Sequence, residues 1–301
     1  MGLLEFFTAI FEIFDPDIRT MLFRNDINGL IKALSYRKSR VRENAAWALG
    51  KTGDVRSVEP LIKVLNDSDA YVQYQAMESL VKIGEPSVEP LIKSLTHEDP
   101  VIRSRSAAAL GNIDTGQAIE PLIDALNDRD VSVRRESADS LGRLKDKRAV
   151  EPLYKILEDE DTGVSRRSAI SLGIMGDKRA VEALIEALSD KDWYWRHKAA
   201  EILGDLRDKR AVTPLIKTLY DHDWTVCCSS AKALGKLRDV SSVEPLIQAL
   251  NSEERSVRRD AAEALGEIGN KIALDALREA LNDKVWIVRD KATEAIKKIV
   301  S

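Results

Sequence analysis

Val150-Glu151-Pro152-Leu153 decides the fold, because the same four-residue pattern returns along the chain at a fixed step. Before it stand Val58-Glu59-Pro60-Leu61, Val88-Glu89-Pro90-Leu91 and Ile119-Glu120-Pro121-Leu122. After it come Val181-Glu182-Ala183-Leu184, Val212-Thr213-Pro214-Leu215 and Val243-Glu244-Pro245-Leu246. The step is 31 residues, save for one deletion near Glu85-Pro86. A weaker copy starts at Ile27 and a last one at Leu274, so about nine units run from Asn25 to Ser301. A period of this length marks stacked supersecondary units.

Each unit reads as two helices. The first opens with Pro in its first turn, where a missing N–H does no harm. It continues with apolar residues at helical spacing, as in Leu122, Ile123 and Leu126. An aspartate then caps the second helix: Asp69, Asp99, Asp130, Asp161, Asp192 and Asp223. The second helix carries residues such as Val133, Ala138, Leu141 and Leu144, and commonly stops at Gly: Gly53, Gly84, Gly176, Gly269.

One such hairpin cannot bury its apolar stripe, whereas stacked hairpins share a continuous core. The expected fold is therefore all-α, a right-handed α-α superhelix of about nine 31-residue helical hairpins. Gly50, Gly111, Gly142, Gly173, Gly204, Gly235 and Gly266 fall inside second helices, where Gly costs about 1 kcal/mol relative to Ala. Close approach of the next repeat is the natural compensation. In the last unit that slot is Lys297, and the preceding Ala slot is Thr293. Polar residues at the two stacking slots predict a capping repeat.

These signatures, V-E-P-L-I-x-A-L and V-R-x-x-A-A-x-A-L-G, resemble the HEAT-like repeats named after the phycobilisome lyases, over roughly residues 25–301. The resemblance implies a HEAT-like solenoid. It spans bilin lyases, an iron-dependent deoxyhypusine hydroxylase and plain interaction scaffolds. The hydroxylase resemblance would require His-Glu pairs two residues after the Val of the second helix in four repeats. Here only His197 matches, and Lys198 follows it. His97 and His222 sit in turns four repeats apart, so no metal site is expected.

Composition narrows the function further. The chain has 44% hydrophobic and 32% charged residues, with a net charge of −4. That balance gives no global pull toward nucleic acid or an anionic membrane. The only cysteines, Cys227 and Cys228, are adjacent and point about 100° apart on a helix, so no disulfide is expected. Free thiols and the lack of a basic leader predict a cytoplasmic protein with no membrane span. Phosphate loops and acid–base motifs are absent from the sequence, and no cofactor is expected.

The reading is a protein–protein interaction or assembly scaffold, not an enzyme, that binds a macromolecular partner along its concave face. A bilin-lyase-like or other cofactor-handling enzyme is the alternative. On that face the wedge of repeats three to five carries Arg105, Arg135, Arg143, Arg166 and Arg167 against Glu136 and Asp139, with Ile170 and Ile174 beside them. Arginine with exposed apolar surface suits an acidic or amphipathic partner segment. A solvated Arg–Glu ladder is the competing account. Trp47 and Tyr74 take similar slots in repeats one and two, and Trp193 and Trp224 share a slot in the turns of repeats six and seven. These two indoles either cover the turns below them or form an aromatic edge for an extended peptide. The Arg directly after the Val slot is read as structural, pairing with the capping aspartates.

Residues 1–24 form the largest break in pattern and hold every Phe of the chain: Phe6, Phe7, Phe11, Phe14 and Phe23. Their spacing is helical and amphipathic. The segment is either a cap over repeat one or a docking helix, and residues 25–301 are the repeat solenoid.

Overall fold

The computed structural model describes residues 15–301. Over that range it holds nineteen α-helices and no strand. The first helix, Ile18–Phe23, precedes nine helical hairpins. Repeats one to four pair Ile27–Ala33 with Ser39–Thr52, Val58–Lys63 with Ala70–Ile83, Val88–Ser94 with Pro100–Ile113, and Ile119–Ala125 with Val131–Leu144. Repeats five to nine pair Val150–Lys155 with Thr162–Ile174, Val181–Ala187 with Trp193–Leu206, Val212–Thr218 with Trp224–Leu237, Val243–Ala249 with Arg255–Ile268, and Leu274–Ala280 with Trp286–Val300. The fold is the expected all-α solenoid of hairpins. It divides into two compact units that meet in sequence at Ala149 and Val150.

The periodic residues form the core. Leu61, Leu91, Leu122, Leu153, Leu184, Leu215 and Leu246, the last residues of the repeated tetrapeptide, are fully buried. In the second helices Val72, Val133, Val164 and Val226 are buried just as completely, as are Leu80, Leu141, Leu172 and Leu234. Each buried aliphatic side chain contributes about 1.5–3 kcal/mol relative to exposure. The second helix of each repeat packs on the next within its unit, which places the layer of second helices along one side.

Local signals act as their chemistry requires. All six predicted aspartate caps accept a backbone N–H from the first turn; Asp99, for example, accepts from Val101 at 2.8 Å. The helix interiors explain their glycines. A Cβ on Gly204 would lie 2.7 Å from the Ala233 Cα of the next repeat, and one on Gly266 would lie 2.7 Å from Ala295 Cα. Thr293 and Lys297, the polar substitutes in repeat nine, are exposed.

Gly53, Gly84, Gly176 and Gly269 end their helices with φ between 65° and 82°. The same slot holds Asp114, Lys145, Arg207 and Arg238 in other repeats, with φ of 55°, 54°, 50° and 53°. Left-handed backbone costs an L-residue roughly 1–2 kcal/mol. Of the N-terminal phenylalanines, Phe6, Phe7, Phe11 and Phe14 lie outside the described residues, while Phe23 is 90% exposed. Among the described residues no helix is long and apolar enough to cross a membrane.

Candidate functional site

The arginine after the Val slot is structural, but its partner is not a capping aspartate. Arg42, Arg103, Arg196 and Arg258 each reach the following repeat, to Asp67, Asp128, Asp221 and Asp283. In the acceptor repeats two, four and seven that aspartate stands two residues before the capping Asp69, Asp130 and Asp223. The same guanidinium donates to carbonyls of its own turn, as Arg103 Nη1 does to His97 and Glu98 at 2.7 and 2.9 Å. One side chain therefore closes a hairpin and ties it to its neighbour. Burial alone would raise the carboxyls of Asp67, Asp128 and Asp221, but the arginine hydrogen bonds and a backbone N–H hold them below the ordinary range. At Asp283 the Arg258 hydrogen bonds lead that lowering.

Repeat five has Ser165 in the arginine slot, and its Oγ donates to the Leu157 carbonyl at 2.6 Å. Arg166, one residue on, pairs instead with Asp190 of repeat six. Arg166 is thus engaged in an inter-repeat pair rather than simply displayed. Arg167 of the same helix lies over the Trp195 ring, 5.3 Å from its centroid. Ile170 is half-buried, while Ile174 is 44% exposed.

In the first unit the layer of second helices presents Trp47, 38% exposed, and Tyr74, 53% exposed, on adjacent repeats. Lys51 Nζ sits 5.8 Å from the Trp47 ring centroid. Arg105 donates to Gln73 Oε1 at 3.0 Å, and Arg143 donates to Ser140 Oγ at 2.8 Å. Arg135 is half-buried. The arginines grouped by sequence thus divide between the two units: Arg105, Arg135 and Arg143 in the first, Arg166 and Arg167 in the second.

Along the turn edge of the second unit, Trp193, Trp224 and Trp286 are each about half-exposed or more. Trp193 meets Tyr194 edge-on and lies tilted against His197. His197 in turn shares a 2.5 Å hydrogen bond with Ser229 of repeat seven. The other histidines serve turns: His97 Nδ1 accepts the Asp99 N–H, and exposed His222 adjoins Asp221. Among the described residues no three His, Cys, Asp or Glu side chains gather as a metal site.

The sequence reading missed a charged cleft at the C-terminal ends of the second helices of repeats six to eight. It measures about 360 Å³ and is lined by Arg207, Lys232, Lys236, Arg238, Asp260 and Glu267, among others. Asp260 is 1% exposed. It accepts from Arg259 Nε at 2.6 Å and faces Lys232 Nζ at 3.4 Å. Burial first, and the Asp260 charge second, push the neighbouring Cys228 thiol up to about 12; Cys227 is raised to about 11. Neither thiol is therefore prepared for nucleophilic work. The visible signal is the arginine at the helix stop in the adjacent repeats six and seven, where four other repeats place Gly.

The comparisons agree with this architecture. The family model described as HEAT repeats matches in overlapping windows that together run over residues 25–297, the first being 25–80 and the last 214–297. The alpha subunit of phycocyanobilin lyase from a Picosynechococcus species is 39% identical over 66 residues, which cover 20% of this chain and 25% of that protein. The chain therefore spans about a quarter of that relative's length. The Escherichia coli YibA structure superposes with a TM-score of 0.67 at 22% identity, covering 84% of this chain and 96% of YibA. An engineered protein superposes at 0.58 and 23% identity, covering 94% and 91%. Those two likenesses bear on fold alone. With the repeat signature, the buried tetrapeptide leucines and a family match over almost the whole chain, the protein belongs to the HEAT-repeat family.

Proposed function

We propose that the protein is an interaction or assembly scaffold in the cytoplasm that binds another protein along the face formed by its second helices. The observation that supports this most is the pair Trp47 and Tyr74, left open to solvent on adjacent repeats. Trp, Tyr and Arg dominate the energetics of protein interfaces. Arg105 and Arg143 on that side of the first unit, and Arg167 with Ile170 and Ile174 in the second, favour an acidic or amphipathic segment as partner. Affinity capture from the native host followed by measured binding tests the reading. Trp47→Ala with Tyr74→Ala should weaken binding tens-fold and leave the melting curve nearly unchanged. Equal binding by both proteins overturns it.

A bilin-lyase-like activity is the second reading, favoured by the 39% identity to the phycocyanobilin lyase subunit. Its test is direct. Incubation with phycocyanobilin and an acceptor phycobiliprotein should give a covalent chromophore adduct if that reading holds, and none if the protein is a scaffold only.

A further inference from the structure

Arg207 and Arg238 occupy a position that glycine fills in four other repeats. Each is held at positive φ, 50° and 53°, where Gly53, Gly84, Gly176 and Gly269 adopt the same left-handed turn without a side chain. Nothing in the turn itself requires arginine there. The two side chains instead line one cleft, together with Lys232 and Lys236.

The charges in this cleft are not matched one to one. Glu267 is shared by Arg238, at 2.9 Å, and Lys298. Asp260 is shared by Arg259 and Lys232, and it receives no hydrogen bond at Oδ2. Lys236 holds Asp205 at 2.5 Å, and Lys291 lies 3.5 Å from Glu263. Arg207 makes no ion pair among the described residues. The cations thus exceed the carboxylates on the walls, in a chain whose overall charge is −4.

We propose that the cleft of Arg207, Lys232, Lys236 and Arg238 is an anchor subsite for the carboxylate of an acidic protein segment. This rests on the scaffold reading above and names where the partner's charge would go. Asp260 is a positioning residue: buried beneath the cleft, it holds Arg259 and Lys232 so that their charge is fixed in place. An incoming carboxylate completes the charge balance and meets the planar arginine forks in the geometry they bind best. Nucleic acid fits less well, because a phosphate backbone needs a long basic track, whereas this cleft gathers four cations on a chain of net charge −4.

The test uses the full chain and a fluorescein-labelled ten-residue oligoglutamate peptide, read by anisotropy at low salt. The informative variant is R207G/R238G, because glycine suits this backbone. Its melting temperature should hold or rise, while affinity for the peptide should fall by about tenfold or more, as the loss of two charge-assisted contacts requires. Asp260→Asn should weaken peptide binding in the same direction, since Lys232 and Arg259 lose their fixed anchor. Unchanged peptide affinity in R207G/R238G overturns the proposal, as does equally tight binding of oligolysine. Preferential binding of an oligothymidylate to the wild type, lost in the same variant, also overturns it and points to nucleic acid. A captured partner that binds R207G/R238G as well as wild type, but not the Trp47→Ala/Tyr74→Ala variant, sinks the subsite and leaves the scaffold reading standing.

Discussion

Arg103 and Asp128 are bound side-on across the junction of repeats three and four, Nε to Oδ2 at 2.7 Å and Nη2 to Oδ1 at 2.8 Å. Both side chains are largely buried. Removing the arginine would strand a carboxylate and leave the His97 and Glu98 carbonyls without their donor. Arg103→Met should therefore destabilise the protein by about 3–5 kcal/mol. Arg148, which bridges Asp146 and Glu120 from an exposed loop, should cost about 0–1 kcal/mol when changed to Ala. Urea denaturation of the two variants checks the contrast, and equal midpoints would sink it.

The aspartates of this ladder also set the acid limit of stability. Asp67, Asp128, Asp221 and Asp283 have folded-state values held below 3.8. Asp54 and Asp146, hydrogen-bonded by Arg56 and Arg148, lie at about 2. A depressed carboxyl contributes its full stability above the unfolded value and loses it as pH falls through the folded value. The urea midpoint should thus be steady from neutral pH to about pH 5 and fall steeply from about pH 4 toward pH 2. In Asp128→Asn that fall should be shallower, on a lower plateau.

Gly204→Ala isolates the packing requirement. Helix propensity alone favours Ala by about 1 kcal/mol. The new Cβ, however, would sit 2.7 Å from the Ala233 backbone, which cannot rotate away. The net effect should be a loss of about 1–3 kcal/mol, read from thermal or urea unfolding. A gain in stability would mean that the two helices can part at little cost.

Cys227 and Cys228 should resist alkylation. Their thiols are buried and raised to about 11 and 12, so little thiolate exists at pH 8. Iodoacetamide should modify them quickly in urea and far more slowly in the native protein. Rapid native labelling of either thiol would contradict this burial.

Much of the fold was legible because repetition averages out local ambiguity. One Val-Glu-Pro-Leu is a weak signal, but seven related copies at fixed spacing locate the helices, the aspartate caps and the glycine contacts. The partners of charged residues were harder to read, because a ladder between repeats depends on the rise and rotation from one hairpin to the next. The arginine after the Val slot reads as structural, yet the aspartate it holds lies 25 residues on, two before the N-cap position in all four rungs. For the same reason the sequence leaves Arg166 open between display and a ladder, and gives no sign that Arg179 bridges Asp177 and Glu151 and lies over Tyr154. The charged cleft escaped notice because its walls come from three repeats.

The ladder also has a grammar that governs which repeats can be cut or joined. Where the arginine is missing in repeat two, as Gln73, the matching aspartate of repeat three is missing too, as His97. Where it is missing in repeat seven, as Cys227, repeat eight has Ser252. At these two junctions donor and acceptor vanish together, while in repeat five, where Ser165 takes the slot, Asp190 stays and Arg166 pairs with it, so none of the three junctions strands a buried charge. Excising repeat seven alone would set Arg196 against Ser252, and excising repeat eight alone would set Cys227 against Asp283. Excising both would bring Arg196 to Asp283 and restore a rung. At this end of the chain the unit that can be removed is therefore not the 31-residue hairpin but the pair of repeats seven and eight, and shortened chains should fold when the slots at their new junction match.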